Sequence, residues 1–82
     1  MNVSLDISMY PLNQDFVEPI LAFIARLEAE PGLVIKRNSL STQVFGDLQQ
    51  IMQLMTNEIQ TVFQQNPDTV FVLKLVGQDR SH

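Results

Sequence analysis

The sequence predicts an α+β fold of element order β-α-β-β-α-β, on three observations. Residues 3 to 10 alternate strictly between apolar and polar positions; two longer stretches repeat their apolar residues at helical spacing; and "EPGLVIK" (30–36) is echoed by "NPDTVFVLK" (66–74) where each helix hands over to a strand. The echo marks a duplicated β-α-β unit. Right-handed crossovers in both halves place the two helices on one face of a four-stranded antiparallel sheet of order 4-1-3-2, the ferredoxin-like arrangement, with the first and third strands central.

Each element follows from its residues. In the first strand Val3, Leu5, Ile7 and Met9 share one face, and Ser4, Asp6, Ser8 and Tyr10 the other, until Pro11 ends the run. "NQDFVEP" opens a helix in which Asp15 caps and Glu18 stands three residues on, with Pro19 tolerated in the first turn. Phe16, Ile20, Ile24 and Leu27, flanked by Leu21 and Phe23, carry its apolar stripe up to "EAEPG". A second strand at Leu33–Ile35 leads through "KRNSLS" into a third at Thr42–Phe45, a hairpin with a slightly long turn. At Gly46 and Asp47 the period changes: Asp47 with Gln50 reads as a capping box, and Leu48, Ile51, Met52, Met55, Ile59, Val62 and Phe63 form the face of a four-turn helix stopped by Asn66 and Pro67. "TVFVLKLV" (69–76) is the last strand. Residues 1–78 form one domain and 79–82 a tail expected to fray.

Composition excludes several functions. The chain has 82 residues, so it holds a single core. Five Lys and Arg against nine Asp and Glu give a net charge of −4 with no basic stripe, which removes the main driving force for nucleic-acid binding. There is no Cys, and the one His, His82, lies in the tail, so no metal site and no cofactor are expected. A nucleophile–base pair is lacking and the acids are scattered, so no catalytic residue is assigned and the chain is read as non-enzymatic. "MNVSLDISMY" has neither a basic start nor a long apolar run, and nothing reaches the ~18 apolar residues of a membrane span, so a cytoplasmic protein without membrane contact is expected.

Four residues do not fix which face of the third strand meets the helices. Thr42 and Val44 are taken as inward, which leaves Gln43 and an exposed Phe45 on the open face beside Asp6, Ser8 and Tyr10. That face, with Val70 and Val72, is too apolar for a small monomer in water, and a second subunit is expected to cover it, as a homodimer or homotetramer built through sheet faces and edges. It also offers a ligand site: Asp6, Ser8, Tyr10 and Gln43, with Phe45 and the turn residues Asn38, Ser41 and Thr42, combine an apolar base with convergent polar groups suited to a flat cationic ligand. Two plainer roles compete, a cross-strand pair of Asp6 with Lys74, and a turn whose Asn38, Ser39 and Ser41 satisfy only their own backbone.

"DISMYPL" (6–12), "NSLSTQVFGDLQQIM" (38–52) and "VFVLKLVGQDR" (70–80) together resemble the small thiamine- or hydroxymethylpyrimidine-binding family of ferredoxin-like proteins. The most specific parts are Pro11 after the first strand and the run Thr42-x-Val44-x-Gly46-Asp47; Tyr10, Pro11, Thr42 and Gly46 are the positions that match the family's motif. Phe45, where an acid is common, and "NSLS", where a glycine-bearing turn is common, depart from it. The resemblance implies a non-enzymatic module that binds thiamine or its pyrimidine precursor and assembles through its sheets. The competing expectation is a structural or regulatory association domain with no small molecule bound.

Overall fold

The computed structural model describes residues 1–12 and 17–81, so the expected cap at Asp15, the apolar Phe16 and the terminal His82 lie outside the described residues. Its elements run β1 (Asn2–Pro11), α1 (Val17–Glu28), β2 (Val34–Arg37), β3 (Thr42–Asp47), α2 (Leu48–Gln65) and β4 (Thr69–Val76). The strands form one antiparallel sheet of order β2-β3-β1-β4, the expected 4-1-3-2. β2 starts one residue later than its apolar run and extends to Arg37, because it pairs with β3 from Val34↔Phe45 to Arg37↔Thr42.

The register explains the core. Leu5 lies between Val44 and Leu75, and Ile7 between Thr42 and Leu73, so period-2 alternation brings these residues to one face. Val3, Leu5, Ile7 and Val44 are buried there against Phe23 and Leu27 of α1 and Ile51, Leu54, Met55 and Val62 of α2. Thr42 is inward and 6% exposed, as its side of the strand requires. α2 is rotated relative to its expected stripe: Leu54 is buried, whereas Met52 and Phe63 stay exposed.

Two local devices fix the β3–α2 junction. Asp47 caps α2, its carboxylate accepting from the Gln50 N–H at 3.2 Å, but the reciprocal half of a capping box is absent: the Gln50 side chain donates to the Pro31 carbonyl at 2.7 Å and ties the α1–β2 loop to the helix. At Gly46 an added Cβ would stand 2.4 Å from Leu33 Cδ2, so glycine here lets Leu33 approach the strand closely. The Gln50 N–H, followed by the N-terminal ammonium, holds the Asp47 carboxyl below its ordinary value of 3.8. A depressed carboxylate pKa contributes stability above the unfolded-state value and loses it as pH falls through the folded value. Asp47→Ala is therefore expected to lower the melting temperature at pH 7, and the difference from the parent should shrink as the pH is taken below about 4, read by circular dichroism.

On the other face of the sheet the register aligns Lys36, Gln43, Asp6 and Lys74 across the four strands, with Val34, Phe45, Ser4 and Val76 forming a second row. Phe45 takes the expected face, but it is 5% exposed rather than open. Residues 77–81 turn back over it, and of these 79–81 belong to the tail expected to fray. The buried Ser4 hydroxyl donates to the Gln78 carbonyl at 2.6 Å and accepts from the Arg80 N–H at 2.7 Å, and Lys36 donates to the Ser81 carbonyl. The Lys36 ammonium also stands 5.5 Å from the centre of the Phe45 ring. A strap of the chain itself thus covers part of the face that a second subunit was expected to cover.

Candidate functional site

The sheet leaves a gap at one corner. β3 begins at Thr42, opposite Ile7, while β1 continues to Pro11 paired only with β4. From Ser8 onward, one edge of β1 therefore carries main-chain N–H and C=O groups with no strand beside them among the described residues, a surface that seeks hydrogen-bonding partners. The β2–β3 turn arches over this edge, and α1 closes the helix side with Ile20, Phe23 and Ile24. The partly open cavity between them measures about 220 Å³.

The turn is built to hold its shape. Asn38 Oδ1 accepts from the Leu40 N–H at 2.7 Å and the Ser41 N–H at 2.9 Å, while the Asn38 N–H donates to the Ser41 carbonyl at 3.1 Å. Asn38 thereby satisfies the turn's own backbone, the plainer of the two roles open to it, while also lining the cavity. Ser8 Oγ reaches the Leu40 carbonyl at 3.5 Å, the outer limit of a hydrogen bond.

The eight expected site residues fall into two groups. Ser8, Tyr10, Asn38, Ser41 and Thr42 line the cavity under the turn, with Ile7 and Met9. Asp6, Gln43 and Phe45 line a separate cavity of about 200 Å³ on the open face, with Lys74 and Arg80. One bond joins the groups: the Ser41 hydroxyl donates to Asp6 Oδ1 at 2.6 Å. Lys74 is the cross-strand neighbour of Asp6 as expected, yet the two form no ion pair, the pairs among the described residues being Arg26–Glu58 and the N-terminal ammonium with Asp47. Tyr10 is half exposed at the cavity mouth.

Sequence reasoning assigned Ile20, Phe23 and Ile24 to packing alone, and missed Arg80. The α1 residues are found only when β1 is seen to overrun β3, which alternation within either strand does not reveal. A third hollow, an apolar groove of about 520 Å³, runs between α2 and β4 and is lined by Met52, Ile59, Phe63 and Leu73. No group of three His, Cys, Asp or Glu able to hold a metal ion occurs among the described residues.

No protein-family model and no curated protein matches the chain. Solved structures do. A protein of Streptococcus pneumoniae superposes with a TM-score of 0.86 at 17% identity, over 98% of this chain and 90% of its own. A Thermotoga maritima protein, to which a role in thiamine biosynthesis or salvage has been provisionally assigned, gives 0.84 at 20% identity, over 95% of this chain and 85% of its own. A domain of unknown function (DUF77) from Bacillus cereus gives 0.78 at 13% identity, over 98% and 79%. At these identities the likeness establishes a shared ferredoxin-like fold, extending over almost the whole chain.

Proposed function

We propose that the protein is a non-enzymatic binding module for a small heterocycle, thiamine or its hydroxymethylpyrimidine precursor, held in the cavity beneath the Asn38–Thr42 turn. The observation that carries this reading is the β1 edge, unpaired among the described residues, beside a partly open, mostly apolar hollow. An aminopyrimidine presents a ring-nitrogen acceptor beside an amino donor, the complement of a strand's N–H and C=O, while its ring face packs on Phe23 and Ile24. At about 220 Å³ the cavity is smaller than the ~300–1,000 Å³ typical of drug-sized ligands, which favours one enclosed ring with any second ring at the Tyr10 mouth. The described lining supplies hydroxyls, an amide and a phenol but no carboxylate, imidazole or thiol, a set fit for binding rather than bond-breaking. The role assigned to the Thermotoga maritima protein of the same fold points the same way.

Calorimetric titration of ligand-free protein is expected to give a dissociation constant in the micromolar range or weaker for hydroxymethylpyrimidine and thiamine, about −8 kcal/mol at most. Absence of both heat and thermal shift at millimolar ligand would leave the association domain as the better reading.

Self-association is part of the proposal, and β4 is the strand that favours it. The other sheet edge, β2, is four residues long and ends in Lys36 and Arg37, a protected edge. β4 has eight residues and one charge, and it exposes Val70, Val72 and Val76 on one face and Leu73 and Leu75 on the other. Antiparallel pairing with a second β4 would satisfy the open edge and set the apolar rows of the two copies side by side. Light scattering at micromolar concentration should give a dimer or larger; a 9.3 kDa particle would refute this. No helix among the described residues is long and apolar enough to cross a membrane.

A further inference from the structure

We propose that the open face of the sheet carries a second site, for a small anion with an apolar body such as an aromatic carboxylate or phosphate monoester, roofed by residues 77–81. It is independent of the cavity beneath the Asn38–Thr42 turn and takes ligands of the opposite charge to thiamine.

The distribution of cations carries the argument. Of the five Lys and Arg in the chain, Arg26 is paired with Glu58, Lys36 donates to the Ser81 carbonyl across the strap, and Arg37 is exposed at the end of β2, outside the lining of this cavity. Lys74 and Arg80 form no ion pair among the described residues, and both line the cavity of about 200 Å³ on the open face, Lys74 from β4 and Arg80 from the strap. Phe45 and Val76 give that cavity an apolar floor and wall, and Gln43 adds an uncharged amide. The one carboxylate in the lining, Asp6, is engaged by the Ser41 hydroxyl. Two cations against one carboxylate leave the cavity net positive in a protein of net charge −4. A guanidinium presents a planar fork of donors that matches a carboxylate or phosphate, and an ammonium adds a second charge-assisted bond. The strap delivers Arg80 because the buried Ser4 hydroxyl holds it on both sides, at the Gln78 carbonyl and the Arg80 N–H. Ser4 is thus a positioning residue for this site.

The test is an amide-resolved NMR titration of the whole chain with benzoate and with phenyl phosphate, and with benzyl alcohol as the uncharged control. Both anions should give saturable shifts centred on Ser4, Phe45, Lys74 and Arg80, with a dissociation constant of about a millimolar or below, and benzyl alcohol should not. Lys74→Met and Arg80→Met alter exposed side chains, so both variants should fold, and each should weaken binding about 10-fold. Asp6→Asn removes the opposing charge and should tighten it. Ser4→Ala should speed hydrogen exchange of the Arg80 amide and weaken binding together. Non-saturating shifts up to about 10 mM, equal binding by the Lys74→Met/Arg80→Met double variant, or shifts centred on residues 38–42 would each overturn the proposal. Because thiamine titration reads the other cavity, failure here leaves that reading standing, and the reverse holds too.

Discussion

Phe23→Ala is expected to cost about 3–5 kcal/mol of folding stability, a large share of what a domain of this size holds. The ring is 2% exposed and sits where three surfaces meet: the β1 face, the Phe71 ring with centroids 5.3 Å apart, and the wall of the cavity beneath the turn. Phe71 in turn meets Phe63 edge-on at 5.6 Å, so removing Phe23 strips one side from an aromatic chain that links α1 to α2 through β4. A domain of this size holds roughly 4–12 kcal/mol in all, by the usual 0.05–0.15 kcal/mol per residue. Urea denaturation followed by circular dichroism measures the loss, with Phe23→Leu as the control that keeps most of the volume and should cost far less. A loss below about 1 kcal/mol would mean that α1 is not anchored by this residue.

What the sequence made legible and what it hid divide along a physical line. Strand faces were legible because alternation has a period of two: Val3, Leu5 and Ile7 are inward, and once β3 pairs with β1, Thr42 and Val44 follow. The cap at Asp47 was legible because it is local, three residues from its partner. The strap was not. "GQDRS" has no apolar periodicity, and what holds it is a serine hydroxyl 74 residues from Gln78 and 76 from Arg80 in sequence. Ser4 looked like any polar residue on the outward side of a strand. Phe45 was accordingly placed on the right face with the wrong exposure. The division of the candidate site has the same origin. Asp6 and Ser8 share a strand face, but Asp6 lies where β3 still runs alongside and Ser8 lies past its end, so the two line different cavities. Strand overlap is a tertiary quantity, set by how far the Asn38 turn carries the chain before β3 begins.

Filling the cavity beneath the turn separates the two functional readings most sharply. Ile20 is partly exposed on the α1 side of that space, so Ile20→Trp can direct an indole into existing volume instead of displacing Phe23 or Leu27 from the core. The variant should keep its fold and oligomeric state while losing hydroxymethylpyrimidine and thiamine binding by about 100-fold or more, roughly 2.7 kcal/mol, since the ring of the ligand and the indole compete for the same space. The chain has no tryptophan of its own, so the new side chain reports its own position: a blue-shifted emission places the indole in the apolar cavity, and a water-like emission places it outside. A blue-shifted variant that binds thiamine like the parent would show that the β1 edge is not where the ligand sits. Loss of binding with blue-shifted emission and unchanged light scattering would assign the ligand to this cavity and show that self-association uses a different surface, as pairing through β4 requires.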